Sequence, residues 1–166
     1  FAEEHKLAAV VQWTFGTFNG TVWSDVIYSG VFVIIFTVII MVNYLKLNVM
    51  ASGDDELATS LGINPGRTRI TMCLASVFMT AAVISFTGVI GFVGLAAPHI
   101  TRMLVGGDHK YLIPFSAVTG SALLMISDAV GKTILSPVSI PVGIVVSFLG
   151  VPIFVHLILK ERRNVQ

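Results

Sequence analysis

The stretch GFVGLAAPHITR, residues 91–102, places a histidine and a proline inside a long apolar run. A histidine there could ligate a metal or relay a proton. A metal site needs partners at set spacing, and none stands three or four residues from His99. The sequence holds no H-E-x-x-H and no C-x-x-C. His99 therefore reads as a hydrogen-bonded structural or gating residue in preference to a catalytic or metal-binding one. His156 is the other histidine in an apolar run, and an intramembrane metalloenzyme would have to use that pair. Asp108-His109 falls in a polar turn. Asp128 and Lys132 stand at i and i+4 in the favourable order for a helical ion pair, and Lys132 could also dock an acidic partner. Cys73 has no second cysteine to pair with and reads as a small core residue. GINPGRT lacks the Lys-Ser/Thr ending of a phosphate loop, so an ATPase would have to be another chain. No catalytic or metal residue is assigned.

The elements that position these groups follow from composition. Of 166 residues, 55% are hydrophobic and 11% charged, and mean hydropathy is +0.89. A soluble domain of this size needs a polar surface that these residues cannot supply. Uncharged runs at 26–45, 70–101, 111–127 and 140–159 each approach or exceed the ~20 residues that cross a bilayer core. The expected class is all-α, a polytopic transmembrane helical bundle. Net charge of +1 argues against nucleic acid as a partner. The first residues are polar and acidic, so no signal peptide is evident.

The 70–101 run is 32 residues long, roughly 48 Å as one helix, against a core of about 30 Å. Gly88 and Gly91 offer a break. With two helices there, one side holds Lys46, Arg67, Arg69, Arg102, Lys110, Lys160, Arg162 and Arg163, and the other only Lys6 and Lys132. With one helix the bias disappears. The positive-inside rule thus selects five spans: 26–45, 70–87, 90–106, 111–128 and 141–160. The eight-charge side is cytoplasmic and Arg102 is an inner anchor. Trp13, Trp23 and Tyr28 fall at the outer interface. Residues 7–16 are too short to span and are expected as a short helix packed into the outer half.

Gly91, Gly94 and Ala97, and again Gly143, Ser147 and Gly150, are expected to form small-residue packing faces. Pro98, Pro114 and Pro152 favour kinks or helix starts. Thr37, Asn43, Thr71, Ser76, Thr80 and Ser85 are expected to bond across helices.

The one long polar loop, 48–69, reads as a short amphipathic helix. Ser52 is the expected N-cap, and Asp54, Asp55 and Glu56 load the first turn. Leu57 and Leu61 share a face, Gly62 ends the helix, and Asn64-Pro65 starts the next. Its acidic polar face is unlike that of bilayer-lying helices. It is expected to dock a partner.

These residues together resemble the FecCD family, permease subunits of binding-protein-dependent ABC importers for iron-siderophores, haem and cobalamin. The family's G-x-I-G-F-x-G-L-x-x-P-H-x-x-R block, its D-H and its L-x-P match Gly88, Ile90, Gly91, Phe92, Gly94, Leu95, Pro98, His99, Arg102, Asp108, His109, Leu112 and Pro114. QWTFGTFNGTVW, MASGDDELATSLGI and the closing stretch 127–159 resemble further family segments. The resemblance implies that residues 1–166 are the C-terminal half of one transmembrane permease domain, sited in the cytoplasmic membrane of a prokaryote. It implies that 47–69 is the loop coupling to a separate ABC ATPase, which alone binds ATP-Mg, through Gly53, Ala58, Leu61 and Gly62, with Asp54 and Glu56 in the same helix. It implies partners in a periplasmic or lipoprotein substrate-binding protein and a second permease copy. Gly91, Gly94, Pro98, His99 and Arg102 would belong to the pathway wall. Lys132 stands where the family usually has an arginine that contacts the binding protein; lysine keeps the charge without the bidentate fork. Ser139 and Ile140 replace the family's Glu-Leu. The implied mechanism is alternating access, with no covalent chemistry on this chain. A channel or proton-coupled carrier is the alternative class.

Overall fold

A computed structural model describes residues 10, 13–134, 140–148 and 150–152. The described residues are helical with irregular connections. In chain order the helices are α1 (Trp23–Val42), α2 (Tyr44–Ala51), α3 (Asp55–Ser60), α4 (Pro65–Thr87), α5 (Val93–Val105), α6 (His109–Thr133) and α7 (Val142–Pro152). Three of them, α1, α4 and α6, are long and apolar enough to cross a membrane. The first begins three residues before the expected span and ends at Asn43, whose side chain donates to the Ile39 carbonyl at 2.8 Å. The chain then turns into α2.

The expected break in the 70–101 run is present. Helix α4 stops at Gly88, which has φ 72, and α5 starts after Phe92, whose φ of 64 puts a non-glycine residue in the left-handed region. At 13 residues, α5 is about 20 Å long. It covers only part of a bilayer core, so residues 88–92 run as irregular backbone beside it. Such backbone survives in hydrocarbon only where protein covers it, and here protein does. The Thr17 amide donates to the Thr87 carbonyl at 2.8 Å, and the Val89 amide to the Trp13 carbonyl at 3.1 Å. The 13–17 segment, helical at 13–15, is thus laid against the break. The helix expected over 7–16 is seen at residue 10 and at 13–15, and Gly16 lies past its end; residues 7–9, 11 and 12 lie outside the described residues. A Cβ on Gly88 would meet the Trp13 carbonyl oxygen at 2.5 Å, and one on Gly143 would collide with the Phe15 carbonyl. Both positions require glycine for close approach as well as, at Gly88, for φ.

Helices α1 and α4 pack as one pair and α5 and α6 as another. Phe36 and Phe78 stack between the first two with ring centroids 5.7 Å apart. Thr101 bonds Thr119 at 3.0 Å between the second two, where Gly120 admits Ala97 and Val93. The 13–17 segment lies against the end of α4, residues 88–90 and Gly143 of α7, and at the opposite, basic end α2 contacts both α1 and α6.

Several expectations change here. Gly91 and Gly94 have no neighbour within 4 Å of a built Cβ. Within this chain the packing face of α5 is Val93, Ala96 and Ala97, rotated from the one expected. On α7 the expected face holds at Gly143 and at Gly150, which sits against Phe92. Cys73 is exposed rather than in a core, while Ala75 two residues on is buried. Thr71, Ser76 and Ser85 return their hydroxyls to carbonyls four residues back on their own helix. Of the residues expected to bond across, Thr37 does, with its Oγ1 3.6 Å from Met79 Sδ.

Candidate coupling and docking sites

The loop between α1 and α4 is built as a braced projection. Its cap is Asp54 and not Ser52. The Asp54 carboxylate accepts from the Glu56 and Leu57 amides at 2.9 and 3.0 Å, satisfying two orphan donors of α3. Ser52 instead closes α2, its hydroxyl donating to the Val49 carbonyl. Gly53, at φ 79, makes the reversal between the two. Helix α3 ends in a Schellman motif: Gly62 N donates to Thr59 O, and Ile63 N to Ala58 O, each at 2.9 Å. Asn64 then caps α4 by accepting from the Arg67 amide, with Pro65 in the first turn. Arg69 reaches back from α4 to Asp55 at 2.9 Å, an exposed pair of modest worth.

This grammar leaves a definite surface. Ala58 is fully buried and anchors α3 on the body. Leu57 and Leu61 point away from it, 44% and 61% exposed. Asp54 and Glu56 are exposed beside them.

At the same end, Asn48 on α2 meets the start of α6. Its amide nitrogen donates to Asp108 Oδ1 at 2.7 Å. Its amide oxygen accepts from the His109 backbone amide at 2.8 Å and lies 2.6 Å from His109 Nδ1. An amide oxygen can only accept, so that ring nitrogen carries its proton. Asp108 also caps α6, accepting from the Lys110 amide at 2.9 Å. The Asn48 bond, then the Lys110 backbone bond, hold the Asp108 carboxyl below its ordinary 3.8. Sequence reasoning saw the Asp-His turn but not its partner, which lies 60 residues earlier.

At the opposite end, Lys132 Nζ sits 2.6 Å from Asp128 Oδ2, the expected i,i+4 pair, with the lysine side chain 47% exposed. Arg102 lies exposed in the last turn of α5, where a cation suits the helix dipole. Pro98 is inside α5, and His99 is exposed beside it and is not an isolated group. Arg102 lies close enough to His109 to act on it electrostatically, which places it at the same end as the 48–69 loop. Among the described residues no three His, Cys, Asp or Glu side chains cluster. His156, Ser139, Lys160, Arg162 and Arg163 lie outside the described residues.

A sequence profile of the FecCD transport family matches residues 1–160. The chain belongs to the FecCD transport family. Among this family member's relatives is the MJ0087 protein of Methanocaldococcus jannaschii, named as an ABC transporter permease, 41% identical over 99% of this chain and 47% of that one. The hemin transport system permease protein HmuU of Yersinia pestis is 32% identical over 98% of this chain and 48% of its own length. The cobalamin import system permease protein BtuC of Halobacterium salinarum is 38% identical over 95% and 42%. A solved inward-facing structure named as a metal-chelate type ABC transporter superposes with TM-score 0.87 at 31% identity, covering 95% of this chain and 50% of that one. The chain spans about half the length of the curated relatives it matches. The described residues thus form a helical bundle of the FecCD type, with three helices long and apolar enough to cross a membrane.

Proposed function

We propose that this chain is the C-terminal half of a permease domain in an ATP-driven importer of metal chelates, the class that takes in haem, ferric siderophores and cobalamin. Residues 53–62 seat on a separate ABC ATPase, which binds and hydrolyses ATP-Mg. Lys132 faces a substrate-binding protein on the other side of a prokaryotic cytoplasmic membrane, and a second permease copy completes the pathway. Gly91, Gly94, Pro98, His99 and Arg102 belong to its wall. The exposed faces of Gly91 and Gly94 support that assignment, because small residues with no neighbour in their own chain leave room for another helix or for cargo.

One observation carries the reading. A short loop joining two spans has no reason to be capped at both ends, anchored by a buried Ala58 and still hold Leu57 and Leu61 out of contact. Such an arrangement offers a rigid apolar plug with an acidic rim, suited to a cleft on a partner protein. The test is assembly. The permease carrying Leu61→Asp is co-expressed with its ATPase and purified in detergent. The reading expects the ATPase to be lost from the purified permease. Full retention would remove the loop from the interface.

A further inference from the structure

The loop surface explains docking but not how a docked partner moves the membrane helices. Two links leave the loop. One runs to α4, through the packing of α3 on α4 and the exposed Arg69–Asp55 pair. The other runs through α2, whose side-chain bonds to a distant helix, among the described residues, are those of Asn48 to Asp108 and His109. The geometry there is specific. Nitrogen faces the carboxylate and oxygen faces the His109 donors, so one amide reads both in a single orientation. The bond to Asp108 is charge-assisted, and the same carboxylate caps α6. Helix α6 then runs unbroken from His109 to Thr133, ending beside Lys132. A displacement applied at Asn48 therefore acts on the cap of the helix whose far end holds the docking lysine.

We propose that Asn48 is a positioning residue that couples motion of the 53–62 segment to α6, making α2 and α6 move together during the ATP cycle. This rests on the reading of that segment as the ATPase seat. It makes a chemical prediction about the pair. Asn48→Asp sets two carboxylates against each other where one nitrogen now donates. Asn48→Asp with Asp108→Asn restores a donor and an acceptor with their places exchanged, and asparagine still caps a helix. Asp108→Asn alone keeps both a cap and an amide partner.

The experiment uses the full-length permease in its complex with the ATPase, with Cys73→Ser and spin labels introduced at Tyr28→Cys and Thr133→Cys, both exposed positions. The distance between labels is measured before and after trapping with ATP and vanadate. In the otherwise unchanged complex trapping shifts the distance by roughly 2 Å or more. Asn48→Asp abolishes the shift while ATP hydrolysis stays within about two-fold, and the exchanged pair restores it, as a coupled pair requires. Asp108→Asn shifts normally. A normal shift in Asn48→Asp, or no recovery in the exchanged pair, overturns the proposal. So does absence of a shift without any substitution at the link, and so does loss of the ATPase from Asn48→Asp, which would make the residue a docking contact. If instead Leu61→Asp leaves the complex intact, the docking reading fails by itself, whatever the labels report.

Discussion

Thr17 donates its backbone amide to the carbonyl of Thr87, the last residue of α4, at 2.8 Å. That bond, with Val89 to Trp13, lets the chain leave α4 and enter α5 without exposing bare backbone to lipid. It also explains why glycines gather where the 13–17 segment, the 88–92 break and the start of α7 come together.

Gly88→Ala should destabilise the protein by about 1–3 kcal/mol, because it adds an overpacked methyl at a left-handed backbone position. Gly91→Ala, which meets nothing within 4 Å in this chain, should change stability by less than about 0.5 kcal/mol in the isolated chain. Thermal unfolding in detergent measures both. An equal effect at the two positions would contradict the close approach at Gly88.

The true cap of α3 can be told from the one expected. Asp54→Ala should cost about 1 kcal/mol locally, read as roughly five-fold faster amide exchange over residues 55–60. Ser52→Ala should leave those amides unchanged. Equal effects would return the cap to Ser52.

Lys132→Glu should weaken binding of the substrate-binding protein by on the order of ten-fold, mainly through slower association at low salt. It reverses the charge at the far end of α6 and also sets two carboxylates one turn apart with Asp128. Asp128→Asn separates the causes, since it leaves the lysine positive and unpaired. It should bind at least as well as the unchanged protein, measured by surface plasmon resonance. Weakening by Asp128→Asn equal to that by Lys132→Glu would assign the effect to the ion pair and not to docking.

The large divisions of this fold were readable from residue types. The break at 88–92 followed from charge asymmetry and helix length, both coarse properties that tolerate errors of a few residues. The end of α3 and the start of α4 followed from Gly62 and Asn64-Pro65, where backbone chemistry leaves few choices. The start of α3 did not, because Ser52 and Asp54 are both competent caps and the turn at Gly53 decides between them. The hydroxyls of Thr71, Ser76 and Ser85 were misassigned for a similar reason: each has an i−4 carbonyl always within reach, and sequence does not reveal whether a neighbouring helix offers a better one. On α5 the expected face holds at Ala97 but not at Gly91 and Gly94, because all three are small and only the seat of Gly120 against Ala97 and Val93 shows which side packs. Asn48 with Asp108 and His109, and Gly143 with Phe15, join points 60 or more residues apart. Nothing local marks such pairs, so they became visible only with the helices in place.

Reconstitution tests the proposal that this chain is the membrane part of an ATP-driven importer. The complete permease is placed in liposomes with its ATPase and binding protein, and uptake of haemin, ferric citrate and cyanocobalamin is followed. The account predicts accumulation of at least one of the three that requires ATP and the binding protein and is lost with Leu61→Asp. Uptake that proceeds equally without ATP, or that Leu61→Asp leaves untouched, would contradict it.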